Sequence, residues 1–191
     1  MMEETPQVVE IKKEAPPLEV PRPVRAVIRA LDTFTDWIGK SFAWITVPMV
    51  LALSYEVFAR KFFNRPTVWA FDISYMLYGS LFMLGAGFAL LRKAHIRTDL
   101  FYNNWSPRVQ GLVDGLLYLL IFFPGIIFFL LAGLDAAQHA WSISEKSDAS
   151  PWRPPLYPYR TVVPVAAGLI LIQGISEFIK CVYAVVKGKW L

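Results

Sequence analysis

Residues 109–134 read VQGLVDGLLYLLIFFPGIIFFLLAGL, twenty-six positions with a single charge, Asp114. As a helix this stretch is about 39 Å long, more than the roughly 30 Å hydrocarbon core of a bilayer. A segment apolar on every face needs either the interior of a large protein or lipid around it. Three more stretches meet the same requirement, residues 37–59, 69–91 and 161–186, and the four together take up about half of the 191 residues. The predicted fold class is therefore all-α integral membrane, with four transmembrane helices and little chain left for a soluble catalytic domain.

The composition agrees. Hydrophobic residues make up 55% of the chain and charged residues 18%, where soluble domains have about 45–50% and 25%. Half of the 34 charged residues fall in the first 65 positions, so wetted segments alternate with long uncharged ones. The net charge of +4 is not gathered on one basic face, which argues against a nucleic-acid partner. Cys181 is the single cysteine, so no intrachain disulfide or CxxC site is possible.

Residues 1–23 hold five of the fourteen prolines among mixed charges and cannot bury a core, so they read as a disordered tail without a cleavable signal. From 24 to 36, Val24, Val27, Ile28, Leu31 and Phe34 follow helical spacing, while Arg25, Arg29, Asp32 and Asp36 fall on other faces. That pattern predicts a short amphipathic helix lying in the membrane interface. With the N-terminus inside, thirteen Lys and Arg residues face the cytoplasm and six the other side. The positive-inside rule then gives an N-in/C-in topology, with residues 187–191 cytoplasmic. The 135–160 connection faces outward, and its aromatics and prolines suggest an interfacial belt on a stiff, non-helical crossing.

Ionisable groups inside a membrane are candidate functional groups because each is costly there. Lys40, Glu56, Asp72 and Asp114 all lie within two turns of a span end, and Glu177 with Lys180 one turn later reads as an ion pair at the cytoplasmic interface. Mid-depth polar residues are neutral and few: Thr46, Ser54, Ser80 and Gln173. A self-sufficient carrier normally binds its substrate at that depth, on broken helices bearing charged or amide ligands. Pro48 and Pro124 are candidate kinks, with packing, the commoner use of a lone proline in a membrane helix, as the alternative. Gly85 and Ala89, four apart, offer a small surface to another helix, whether of this chain or of a second protein. His95 and His139 fall at opposite ends of the bundle, which argues against bis-His haem and a two-His zinc site. No cofactor is expected.

The stretch WAFDISYMLYGSLFMLGAGFALLRKAHIRTD, residues 69–99, resembles the small membrane subunit of tripartite ATP-independent periplasmic (TRAP) transporters. Trp69, Asp72, Gly85, Ala86, Arg92, His95, Ile96 and Asp99 match that family's pattern, with Asp72 where Glu is usual and Thr98 where Val is usual. SPWRPPLYPYRTVVP, residues 150–164, is similar to the approach to the last span in some members. The resemblance implies a non-catalytic scaffold subunit of the bacterial inner membrane. Its partners would be a large polytopic permease subunit, which carries substrate and sodium, and a periplasmic solute-binding protein that delivers organic anions, commonly carboxylates. Trp69, Asp72, Gly85, Ala86, Arg92, His95 and Asp99 are then candidates for structural or partner contacts. Trp152, Arg153, Tyr157 and Arg160 are candidates for receptor contact. Arg92, Lys93 and Arg97 at a helix C-terminus also suit the helix dipole and anionic lipid heads, and His95 can bond Asp99 if the helix continues. Asp72 can accept free N–H groups at its helix start or pair with Arg60, Lys61 or Arg65. Two other classes stay open: an autonomous small oligomeric carrier or channel, and a membrane enzyme or cytochrome subunit.

Overall fold

The computed structural model describes residues 22–92, 102 and 105–190. Their fold is all-helical, relieved by one isolated antiparallel bridge between Lys146 and Pro155. Helix α1 spans Arg22–Ala43, α2 Thr46–Phe63, α3 Ala70–Leu91, α4 Pro107–Leu117, α5 Phe123–Ser142 and α6 Tyr157–Lys187. A π turn, Tyr118–Phe122, joins α4 to α5 in one rod, Pro107–Ser142. Four segments are long and apolar enough to cross a membrane: Pro23–Phe63, Ala70–Leu91, Pro107–Ser142 and Tyr157–Lys187.

Both candidate kinks fall where a proline acts four residues upstream. Pro48 has no N–H for the Trp44 carbonyl and its ring crowds that group. The chain breaks there, at Trp44–Ile45, where Ile45 N–H turns to Phe42 O at 3.0 Å and Val47 N–H to Trp44 O at 3.1 Å. The expected boundary between an interfacial helix ending at 36 and a span beginning at 37 is thus displaced: α1 runs unbroken past it to Ala43. Pro124 acts likewise on Leu120, and the helix widens into the π turn, in which Phe123 N–H bonds the Tyr118 carbonyl five residues back.

The connection between α5 and α6 is shorter than its prolines suggest. α5 continues to Ser142, and α6 begins at Tyr157 with Pro158 in its first turn, so only residues 143–156 are non-helical. Proline is well suited to a first turn, where its missing N–H would have had no partner.

α6 is the central helix and packs against α1, α3, α4 and α5. Its buried positions are mostly small: Ala166, Ala167, Gly174, Ser176, Cys181 and Ala184. Backbones approach closely at Gly111, where a Cβ would sit 2.8 Å from the Cys181 carbonyl oxygen. In α3 the positions against α6 are Gly79, under the Tyr159 hydroxyl, and Gly87, against Leu169. Gly85 faces open space, so the Gly85–Ala89 surface is not what seats α3 on α6. α2 packs mainly on α3 and exposes Leu51, Val57, Phe58, Phe62 and Phe63. Such an apolar exterior is what lipid or a neighbouring membrane helix requires.

Candidate functional site

Polar side chains gather at both ends of the bundle, and a further cluster reaches Gln173 at the middle of its last helix. At one end, α2 turns into α3 through Asn64 in a left-handed conformation, φ 49°. Glu56 holds this turn: one oxygen accepts the Thr67 N–H at 2.8 Å and the Thr67 hydroxyl, the other accepts Arg60 Nε–H at 3.0 Å. Trp69 stacks on Tyr55 with ring centroids 5.7 Å apart.

Asp72, in the first turn of α3, is 1% exposed. It accepts hydrogen bonds from Ser147 Oγ at 2.8 Å and from Ser150 Oγ, both in the connection between α5 and α6. The expected partners Arg60, Lys61 and Arg65 are not used. Arg60 lies one turn beyond Glu56 and pairs with it, while the two serines are brought to Asp72 by the loop's own pairing. In that pairing Ser147 N–H donates to Pro154 O at 2.8 Å and Leu156 N–H to Glu145 O at 2.8 Å. The serine oxygens accept in turn from Ala149 N–H at 3.2 Å and Trp152 N–H at 3.3 Å. A buried carboxylate is tolerated here because hydroxyl donors and the positive end of α3 replace water.

The four loop candidates separate into two pairs. Tyr157 packs on Trp141, ring centroids 4.4 Å apart, and Arg160, its side chain 44% exposed, pairs with Glu145 at 3.0 Å. Trp152 is 46% exposed, and Arg153 pairs with Asp148 at 2.6 Å on the outer surface.

At the opposite end, Arg92 donates to Asp36 of α1 at 2.7 Å and lies 5.1 Å from the centre of the Phe88 ring. Lys40 also pairs with Asp36. Ala86 is half-buried in α3. The proposed His95–Asp99 bond lies outside the described residues.

The densest polar cluster joins α1 to α6. Lys180 Nζ bridges Asp32 at 2.8 Å and Glu177 at 2.7 Å. Ser176 Oγ donates to Asp32 at 2.7 Å, and Gln173 Nε2 reaches Asp32 at 3.1 Å and Glu177 at 3.3 Å. Gln173 and Ser176 are fully buried and Glu177 nearly so. Half of this cluster was readable in advance, since Glu177 and Lys180 sit one turn apart. Asp32 was not, because its partners lie more than 140 positions away.

These groups tie helices and a loop together, and Gln173 Oε1 is buried without a hydrogen-bond partner among the described residues. Against known proteins, the family model described as "Tripartite ATP-independent periplasmic transporters, DctQ component" matches residues 49–183, from the first turn of α2 almost to the end of α6. No curated protein matches.

Proposed function

Matched over more than two thirds of its length, the chain belongs to the DctQ family, the small permease component of TRAP transporters, and from that premise we propose that it is the scaffold half of a sodium-driven uptake system. Family membership makes it an inner-membrane transporter subunit and not an enzyme, in systems that also use a large permease and a periplasmic binding protein. Its own part is to hold a fixed surface in the bilayer. The large polytopic subunit carries substrate and sodium against it, and the binding protein delivers an organic anion, a carboxylate by class. The amphipathic α1 lies at the cytoplasmic face, both termini are inside, and the loop with Trp152 and Arg153 faces the receptor.

The observation that carries this reading is the fate of the buried and half-buried carboxylates. Asp72 accepts from two loop serines, and Asp32 and Glu177 share Lys180. A carrier needs polar groups free to bind and release a solute, whereas a scaffold needs them committed to its own shape. The orientation rests on the thirteen-to-six division of Lys and Arg. Trp69, Gly85, Ala86 and Arg92 remain proposed partner or structural contacts, and Gly85, open on its outer side, is the one best placed to admit a partner helix. Reconstitution of this chain with its permease and binding protein tests the proposal. Uptake of an organic anion should follow an imposed sodium gradient without ATP, and uptake that ignores the gradient but requires ATP would refute it.

A further inference from the structure

α1 has two long sides with different chemistry. Its inner side is fixed on the bundle: Ile28 and Thr35 are buried, Asp32 is bound by Lys180, Ser176 and Gln173, and Asp36 by Lys40 and Arg92. Both carboxylates of α1 are therefore already engaged by cations, Asp36 by two and Asp32 by a lysine that it shares with Glu177. Arg25 and Arg29, four apart and exposed, have no acidic partner among the described residues. The outer side is thus cationic although the helix as a whole carries mixed charge.

The surface around these arginines is concave. One hollow of about 400 Å³ is walled by Arg25, Ile28, Arg29, Asp32 and Thr33. A second, of about 640 Å³, is lined by Ala26, Arg29, Ala30, Thr33, Phe34 and Trp37. Arg29 and Thr33 belong to both. Ala26, Ala30 and Thr33 are small and recur at helical spacing, so they form a floor, while Phe34 and Trp37, 44% and 68% exposed, stand beside it as an apolar wall. Asp32 offsets the field of the first hollow only in part, because two guanidiniums face that one carboxylate and Lys180, which it shares with Glu177, pairs with it from behind.

We propose that this outer side of α1 is a binding site for one anionic phospholipid. The phosphodiester sits between the Arg25 and Arg29 guanidiniums with the Thr33 hydroxyl as a further donor, and the acyl chain runs over Ala26 and Ala30 against Phe34 and Trp37. Guanidinium groups match phosphate oxygens in pairs, and an aromatic at the headgroup level suits a half-wet site. The site lies on α1, which precedes the matched region 49–183. It does not depend on the transport role, only on the chain residing in a membrane.

The test is native mass spectrometry of the full-length chain, titrated in detergent with phosphatidylglycerol and with phosphatidylcholine of the same acyl length. Phosphatidylglycerol should be retained preferentially. A juxtamembrane Lys or Arg contributes about fivefold in affinity, so the Arg25→Gln/Arg29→Gln double variant should lose about 25-fold. Its phosphatidylcholine binding, already weakened at this site by the choline cation, should fall much less, and its circular dichroism should be unchanged. Lys61→Gln, a cation at the other end of the bundle, should bind as the parent does. Equal retention of the two lipids, or full phosphatidylglycerol binding by the double variant, would overturn the site. Displacement of the lipid by an equal concentration of inorganic phosphate would assign the arginines to a free anion instead and would equally overturn the lipid assignment.

Discussion

Asp72 shows how one residue can be readable in position and unreadable in partnership. Its place in the first turn of a span marks it as a helix-start carboxylate, because the exposed N–H groups and dipole there favour a negative charge. Its actual partners, Ser147 and Ser150, lie 75 and 78 positions later, and serine in a loop has no periodicity to advertise a contact. The same holds for Asp32, which helical spacing puts on a polar face but which tertiary packing turns into α6. Replacing Asp72 with Ala removes the acceptor of two buried or half-buried hydroxyls and should cost about 2 kcal/mol. In detergent that amounts to a fall of about 6 °C in Tm. Arg65→Ala, by contrast, should leave Tm within about 1 °C, since Arg65 is exposed and Asp72 does not use it. Equal losses in the two variants would show that Asp72 is held by the basic turn after all.

Among the elements, the long apolar helices were legible because lipid demands an uninterrupted run, and length alone nearly fixes each span. Their ends were not, because polar residues join a helix freely once it leaves the hydrocarbon: α5 gains Asp135–Ser142 and α6 gains Tyr157–Arg160 beyond the apolar stretches. The break at Trp44–Ile45 was implied by Pro48, yet a proline in a membrane helix bends in one context and packs quietly in another. The connection 143–156 is the element on which topology is best tested. Ser147 makes a poor probe because it is 5% exposed and bonded to Asp72. Asp148, whose side chain is 84% exposed, and the exposed Lys187 are better ones. With Cys181 replaced by Ser, a membrane-impermeant maleimide should label Asp148→Cys in intact cells and Lys187→Cys only after permeabilisation. The reverse pattern would invert the proposed topology.

At the scale of the whole molecule, the chain has a spine of small residues in α6, two polar locks and an apolar exterior, most open along α2. The locks join elements far apart in sequence, α3 to the 143–156 loop and α1 to α6, so they fix the outline of the bundle. Family membership and internal bonding lead to one claim: solute and ion chemistry belong to the partner chains. The most direct test is uptake by proteoliposomes containing this chain alone, under an inward sodium gradient and with the binding protein and its organic anion supplied outside. The account predicts a rate indistinguishable from protein-free liposomes. Saturable, sodium-dependent uptake by the isolated chain would contradict it and make the protein a carrier in its own right.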